Sequence, residues 1–449
     1  MNAAVVRRPG SDAIGPWSEP GAMLALAAMG AYVISTIKFM NRDPLSTTTG
    51  IQALIEIAAV AASVVLAAIP LVRRRFFPRP SAPAIGFAVF AATALLSSVF
   101  SYWPVLSLIK GGMLVAILFV AIALCATRPP EEVLGYFYWS ALVIIAAGMC
   151  LKFAYHEPLF DIDEYSGRAR LTVFALHPGS LADLSALTIL IGRLMPRRPH
   201  WSCQLFLLAL NAATCARWST ASLIVVMIAS SAWASRITLK ALALSMLGAA
   251  TAALAAWIVL TAQIPIGHIP FEQFYGDKVT LEEIATLNGR TNVWAESESM
   301  IPGTFVFGYG VEGARAAILR EFEWAGHAHN AYLEVLFAGG MPGLIAFLIG
   351  WGAAVVKIAR TDTPLRPYVL SLHVYMFICG LTDPNITLLQ FLPLFLIVCV
   401  EAAGHAAPEA VVLPAPVRRP VFGVRGAGGP GRSGGPGGLV RVPSPAGRA

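Results

Sequence analysis

Apolar runs of about twenty residues recur along most of this 449-residue chain, and this repetition constrains the fold more than any other feature. A helix of about 20 apolar residues crosses the hydrocarbon core of a bilayer, where the backbone must satisfy its own hydrogen bonds. The runs therefore predict an all-α polytopic integral membrane protein. Only 13% of the residues are charged, against about 25% in soluble domains, and this excludes a soluble enzyme.

The apolar runs divide into about twelve predicted transmembrane helices. They lie at 21–40, 50–71, 82–101, 103–126, 132–152, 179–195, 201–216, 218–234, 238–262, 331–356, 367–382 and 385–403. The closely spaced pairs that meet near Trp103 and Arg217 leave a re-entrant arrangement open at either place. Ser180 and Asp183 predict a capping box at the start of the sixth helix.

The basic residues indicate how these helices are oriented. If the chain starts in the cytoplasm, most of the 32 Lys and Arg residues fall on the cytoplasmic side, as the positive-inside rule requires. Both termini are then cytoplasmic, and the two longest loops, 153–178 and 263–330, lie outside. The net charge of +7 follows from this distribution, so it does not indicate nucleic-acid binding.

This orientation divides the chain into five parts. They are a cytoplasmic segment at 1–20, helices one to nine at 21–262 with the outer loop 153–178, the large outer loop 263–330, helices ten to twelve at 331–403, and a tail at 404–449. The tail is rich in Gly, Pro and Arg, a composition that predicts disorder.

The loop 263–330 carries signals of internal structure. One helix is predicted to start after the Asn288–Gly289 break and to end at Pro302–Gly303. A Gly-rich turn follows at Phe307–Gly310, and another helix is predicted near Glu312–Trp324. Long loops in compact proteins are usually functional, so a site is expected here.

A polar segment from Gly326 to Glu334 leads from this loop into the tenth helix. Asn330 is a good N-cap, which places His327 and His329 just outside a helix N-terminus, where unpaired N–H groups favour an anion. The alternative is that the histidines are ordinary polar residues at the end of an interfacial loop. Farther along, Gly339 to Gly343 predict either a kink in the helix or the close approach of a neighbouring segment.

Two pairs of segments form a pattern at this end of the chain. One is His327–Glu334 followed by Gly340–Gly343, and the other is Gly289–Trp294 followed by Phe307–Gly310. Together they resemble the O-antigen ligase and O-antigen polymerase superfamily of bacterial membrane glycosyltransferases. The family's fold is similar, with many helical spans and one large periplasmic loop.

Two weaker matches to the same family lie earlier in the chain. Arg168–Thr172 with His177 resembles the entry to a middle span, although Gly179 stands where Asn is common. Thr214–Arg217 resembles a Thr-x-Ser-Arg element, although Ala216 replaces the Ser. These departures put in doubt any role for the Gly179 and Ala216 positions.

The resemblance implies a metal-independent glycosyltransferase that has no cofactor and acts at the periplasmic face of the inner membrane. Its donor would be a glycan on undecaprenyl diphosphate, and its acceptor a glycan or the lipid A core, in O-antigen or exopolysaccharide biosynthesis. Membrane lipids and other polysaccharide assembly proteins would be its partners. The motifs do not separate a polymerase from a ligase.

A secondary transporter and a lipid-linked glycan flippase stay open as alternatives. A transporter of this size would be expected to show repeated halves and polar residues near the bilayer midplane. By inspection, this chain has no internal repeat, and its unusual polar residues crowd the outer boundary.

The departing diphosphate gains negative charge, so arginines are the expected stabilising groups. Arg290 is the first candidate, with a salt bridge to Glu296 or Glu298 as the alternative. His329 is the candidate base or phosphate ligand, and with Arg290 it forms the predicted catalytic pair. His327 is the alternative for either role. The predicted substrate-binding residues are His327, Arg217, Arg168, Arg170, Lys110 and Asn330. Snorkelling is the alternative for Arg217 and Lys110, and a solvated pair for Arg168 and Arg170.

Overall fold

The structure is a computed structural model. It describes residues 20–35, 51–74, 81–128, 130–162, 169–173, 178–195, 199–234, 290–322, 325–360 and 365–382. Most of these residues are helical, as expected for a helical membrane protein.

The helices of the first half are α1 (Pro20–Ser35), α2 (Ile51–Arg74), α3 (Ala82–Leu96), the 3-10 turn η1 (Ser97–Phe100), α4 (Pro104–Thr127) and α5 (Pro130–Ala154). A short antiparallel pair follows, formed by β1 (Phe160–Ile162) and β2 (Ala169–Leu171). The later helices are α6 (Pro178–Gly192), α7 (Trp201–Ala213), α8 (Arg217–Ala234), α9 (Arg290–Thr304), α10 (Arg315–Glu321), α11 (Ala331–Arg360) and α12 (Arg366–Gly380).

Among the described residues, 5 helical segments are long and apolar enough to cross a membrane. They are Ala53–Arg73, Ala82–Phe100, Pro104–Thr127, Glu132–Ala154 and Ala331–Arg360. Each coincides with a predicted span, which supports the helical membrane fold. The predicted spans 238–262 and 385–403 lie outside the described residues, so the count of about twelve stays a prediction.

The helix before Arg217 is shorter than the sequence pattern indicates, whereas the helix that begins at Arg217 has about its predicted length. α7 has 13 residues, which is about 20 Å at 1.5 Å per residue, whereas a hydrocarbon core is about 30 Å thick. The chain then turns, and α8 begins at Arg217. α7 is therefore too short to cross the hydrocarbon core as a straight helix. This favours the re-entrant alternative for α7 and α8.

α3 packs tightly against α11, the helix that contacts the loop following α9. A Cβ on Gly86 would lie only 2.6 Å from the Cα of Gly350, so small residues allow the two backbones to approach. Phe347 meets Phe87 and Phe90 edge to face, with ring centroids 5.3 and 5.4 Å apart. Aromatic pairs of this geometry stabilise a fold by more than the burial of their apolar area alone would.

The predicted kink in α11 is confirmed at Gly340, whose φ of 64° is not helical. The chain that follows α9 lies against this kink. Met341 N–H donates to the carbonyl of Phe305 at 2.7 Å, and Tyr309 N–H donates to the carbonyl of Phe337 at 2.6 Å. Gly308 also has a positive φ, and a Cβ there would meet the backbone nitrogen of Gly340 at 2.6 Å. The kink thus anchors the Gly-rich turn.

The capping box predicted for the sixth helix is wrong. α6 begins at Pro178, so Ser180 lies inside its first turn and is not the N-cap. Asp183 is buried and accepts a hydrogen bond from the Tyr375 hydroxyl at 3.0 Å. That hydroxyl oxygen also lies 2.7 Å from Ser219 Oγ, so the carboxylate belongs to a buried polar link among α6, α8 and α12.

Candidate functional site

We define the histidine loop as residues 326–330, which precede α11. The rings of His327 and His329 pack edge to face, with centroids 4.2 Å apart and an angle of 76° between their planes. Asn330 Oδ1 accepts hydrogen bonds from the backbone N–H groups of Tyr332 at 2.9 Å and Leu333 at 3.1 Å. The predicted N-cap is therefore confirmed, and the imidazoles lie at a helix N-terminus.

His329 has a φ of 49°, in the left-handed region that L-residues rarely adopt. Cys215, two residues before Arg217, has a φ of 54°. Strained backbone of this kind persists where surrounding contacts over-determine it, and it concentrates at functional sites. Two of the candidate residues therefore lie at or beside such positions.

The C-terminal end of α12 joins two parts of the candidate site. Asn330 Nδ2 donates to the carbonyl of Leu381 at 3.2 Å, and the hydroxyl of Tyr332 donates to the carbonyl of Phe377 at 3.2 Å. From the other side, Trp218 Nε1 donates to the carbonyl of Ile378 at 3.0 Å. The start of α11 and the start of α8, which is Arg217, are consequently fastened to one turn of α12.

The β-pair adds Arg170 to the same region. Arg170 Nε donates to the carbonyl of Thr214 at 3.2 Å, and Cys215 Sγ lies 3.7 Å from the carbonyl of Ala169. β2 therefore lies against the α7–α8 junction, three residues before Arg217. This contact replaces the solvated pair as the account of Arg170, and Arg168 lies outside the described residues.

Buried Lys152 holds the β-pair in place. Its ammonium donates to the carbonyl of Pro158 at 2.8 Å, to Asp161 Oδ1 at 3.0 Å and to the hydroxyl of Thr172. Asp161 is in turn the register partner of Arg170. The strand that carries Arg170 is thus fixed, through its pairing with β1, to the end of α5.

Arg290 is the first residue of α9, so the predicted loop helix is confirmed. One turn later, fully buried Val293 joins a small apolar cluster. The other buried members of that cluster are Ala314, Ile318, Ala325, Ala328 and Phe337. Because Ala328 lies between the two histidines, the helix that Arg290 begins shares one apolar cluster with the histidine loop.

The turn after α9 is fixed by Tyr309. Burial, with a smaller contribution from the neighbouring Tyr102, raises the pKa of this phenol to about 12. The hydroxyl therefore keeps its proton at neutral pH, and it lies 3.4 Å from the carbonyl of Met300 as a donor. Tyr309 is a structural contact between the turn and α9.

Residues 204–348 match a family model described as O-antigen ligase. This region, called the O-antigen ligase region below, is similar to that family. It contains Arg217, Arg290 and both histidines, and it confirms the resemblance found in the sequence. No curated protein matches the chain at a significant level.

Lys110 lies outside the O-antigen ligase region, and acidic residues surround it. Its Nζ is 2.8 Å from Glu56 Oε2 and 3.8 Å from Glu312 Oε1, and its side chain is 14% exposed. Glu56, a carboxylate within the apolar helix α2, has Lys110 as its charged partner. The geometry favours a structural role for Lys110 over contact with a substrate.

Arg315 is a basic residue of the O-antigen ligase region that the sequence patterns do not single out. Its Nη1 lies 3.4 Å from Glu312 Oε2. A Cβ on Gly326 would lie 3.5 Å from its Nε and Nη2, so the guanidinium covers the residue before His327. Nε is buried and donates to no acceptor within the part of the chain that the structure describes. Only the fold brings Arg315 to the histidine loop, because no motif links the two.

The described side chains offer no obvious metal centre. Across the described ranges, no three His, Cys, Asp or Glu residues gather at a spacing that could hold a metal ion. The charged side chains placed beside the histidine loop are Arg315, Glu312 and Glu334. The guanidinium of Arg315 is the group among them that suits a phosphate-containing ligand.

Proposed function

We propose that this protein is a membrane glycosyltransferase that transfers or polymerises a glycan carried on undecaprenyl diphosphate. The family match supports an O-antigen ligase or polymerase type of activity. One observation carries the proposal. In the matched region the helix of Arg290 shares an apolar cluster with the histidine loop, and α12 joins that loop to the start of α8 at Arg217. These contacts support a single site that combines cations and imidazoles from distant parts of the sequence.

In the proposed reaction the acceptor hydroxyl attacks the anomeric carbon of the donor sugar. The bond from that carbon to the diphosphate oxygen breaks as the bond to the acceptor oxygen forms. The diphosphate leaves with the bonding electrons, and Arg290, Arg217 and Arg170 stabilise its charge. Each charge-assisted hydrogen bond contributes about 1.5–3 kcal/mol.

The acceptor proton passes to the imidazole of His329, and general-base assistance of this kind typically accelerates a reaction about 10²–10⁴-fold. His327 and Asn330 bind the substrate beside it. The reaction as proposed uses no metal. His329 in its protonated form is an alternative ligand for the diphosphate, and either role places it at the reacting groups.

The proposed setting is the bacterial inner membrane, with about twelve helices, cytoplasmic termini and the site facing the periplasm. The acceptor is a growing O-antigen or exopolysaccharide in a polymerase, and the lipid A core in a ligase. The glycans that accumulate in a deletion strain separate the two. Single repeat units on the lipid A core indicate a polymerase, and long undecaprenyl-linked chains indicate a ligase.

The proposal is tested by returning variants to that deletion strain and measuring the assembled glycan. Arg290→Ala and His329→Ala are each expected to lower assembly at least tenfold, since each removes a group that acts on the reacting atoms. Arg320→Ala is the matched control, because Arg320 is an exposed basic residue of α10. If both site variants insert into the membrane and assemble glycan at the wild-type rate, the proposal fails.

A further inference from the structure

Glu334 lies in the first turn of α11, and the proposed reaction does not use it. Its Oε1 accepts a hydrogen bond from the backbone N–H of Ala328 at 2.6 Å. Ala328 is fully buried and lies between His327 and His329. The carboxylate therefore reaches back from the helix to the middle of the histidine loop.

This bond acts on a strained segment. The left-handed backbone of His329 is sterically unfavourable, so neighbouring contacts must impose it. Asn330, the residue after His329, is held in place because it caps α11 and donates to the carbonyl of Leu381. Glu334 fixes the residue before His329. The two side chains together determine the path of the backbone through His329.

The carboxylate is itself surrounded by charged groups of the preceding loop. It interacts electrostatically with two charged side chains, the cation Arg315 and the anion Glu312. Arg315 also covers Gly326 at the other end of the histidine loop. Glu334 is thus part of the framework that encloses the loop.

We infer that Glu334 is a positioning residue, which directs the two imidazoles by accepting the hydrogen bond of Ala328 N–H. The inference rests on the proposed function, because it concerns the histidines that act there. In this role Glu334 works as a hydrogen-bond acceptor and carries no proton in the reaction. An uncharged side chain of the same size with an acceptor oxygen should therefore replace it.

The test compares Glu334→Gln with Glu334→Met in the full-length protein. The two replacements are similar in size and both uncharged, but only Gln retains an acceptor oxygen. The purified proteins are placed in phosphatidylethanolamine–phosphatidylglycerol vesicles and given the undecaprenyl-linked glycan and acceptor extracted from the deletion strain. Glu321→Ala is the control, because Glu321 is an exposed acid at the end of α10.

Glu334→Met is expected to lower kcat/KM about 10²-fold, the usual consequence of misplacing a reacting group. Glu334→Gln is expected to stay within roughly fivefold of wild type, since a neutral acceptor is about half as strong as a charged one. Equal losses in Gln and Met would show that the carboxylate acts through its charge or its proton, and this overturns the inference. A Met variant as active as wild type overturns it as well.

Glu334→Asp keeps the test decisive if the Met variant does not insert. Asp retains the carboxylate but withdraws it by one methylene, so positioning predicts a loss of at least tenfold and a role of charge alone predicts none. Wild-type protein and Arg290→Ala, assayed in the same vesicles, separate the two hypotheses. An inactive wild type refutes the proposed function, whereas an active wild type with an unaffected Met variant refutes only the positioning role.

Discussion

Asn330 makes two kinds of contact that substitution can separate. Its Oδ1 caps α11, and its Nδ2 donates to the carbonyl of Leu381. Asn330→Ala removes both and should lower the free energy of unfolding by about 2 kcal/mol, of which the cap supplies about half. Asn330→Asp keeps the cap and loses only the link to α12, so its loss should be smaller. Thermal unfolding in detergent measures the difference, and equal losses would contradict this division.

Residues whose roles depend on their neighbours in sequence could be predicted without the structure. Asn330 is recognisable as a cap because a cap bonds to residues two and three positions ahead. The start of α9 at Arg290 follows from the Gly289 break in the same way. Arg315 and Glu334 could not be found like this, because their partners lie across a turn that only the fold determines.

At the scale of helices, the kink in α11 depends on one glycine. Gly340→Ala places a side chain on a left-handed backbone, where its Cβ clashes with the carbonyl oxygen of Val306. The substitution should lower the free energy of unfolding by more than about 1 kcal/mol. This loss is larger than the gain that replacing Gly with Ala gives at an unstrained position. Gly352→Ala is the matched control on the same helix, because no atom lies within 4 Å of its added Cβ. Thermal unfolding should leave the control at or above wild type, and a Gly340→Ala protein of equal stability would contradict the strain argument.

The contact between α2 and α4 rests partly on the Glu56–Lys110 ion pair, whose side chains are 13% and 14% exposed. Removing one partner of a buried pair typically costs about 3–5 kcal/mol, because it leaves a charge in an apolar surrounding. Lys110→Met should therefore destabilise the protein strongly, and the double variant Glu56→Gln with Lys110→Met should recover much of the loss. Unfolding curves of the three proteins test this.

Glycan assembly by the same double variant decides the role of Lys110. A structural role predicts activity near wild type once the unpaired carboxylate is also removed. A stable double variant without activity would instead return Lys110 to the substrate-binding residues, where the sequence placed it.

The helices with strong apolar patterns were the part of the fold that the sequence predicted best. α2, α4, α5 and α11 follow their predicted spans closely, because span length depends on local composition. The β-pair was not predicted, since it depends on Lys152 bonding to residues six to twenty positions away. Similarly, the short α7 is defined by a turn at Thr214 that composition does not reveal.

For the whole molecule, the convergence of distant segments is the property that the sequence did not show. Arg170 binds beside the α7–α8 junction, and α12 ties that junction to the histidine loop more than 100 residues later. The sequence motifs identified the candidate residues, and the tertiary contacts determine how these residues are arranged. A site built in this way requires that all its segments reach the same side of the membrane.

That requirement is a testable statement about topology. His156, which follows α5, and Trp201, which begins α7, are both exposed, and the predicted orientation puts them on opposite sides of the membrane. In a variant without native cysteines, His156→Cys should react with a membrane-impermeant maleimide in intact spheroplasts, and Trp201→Cys should react only after lysis. Since the segment after α5 carries Arg170, labelling of both positions before lysis, or of neither, would contradict the arrangement on which the proposed site depends.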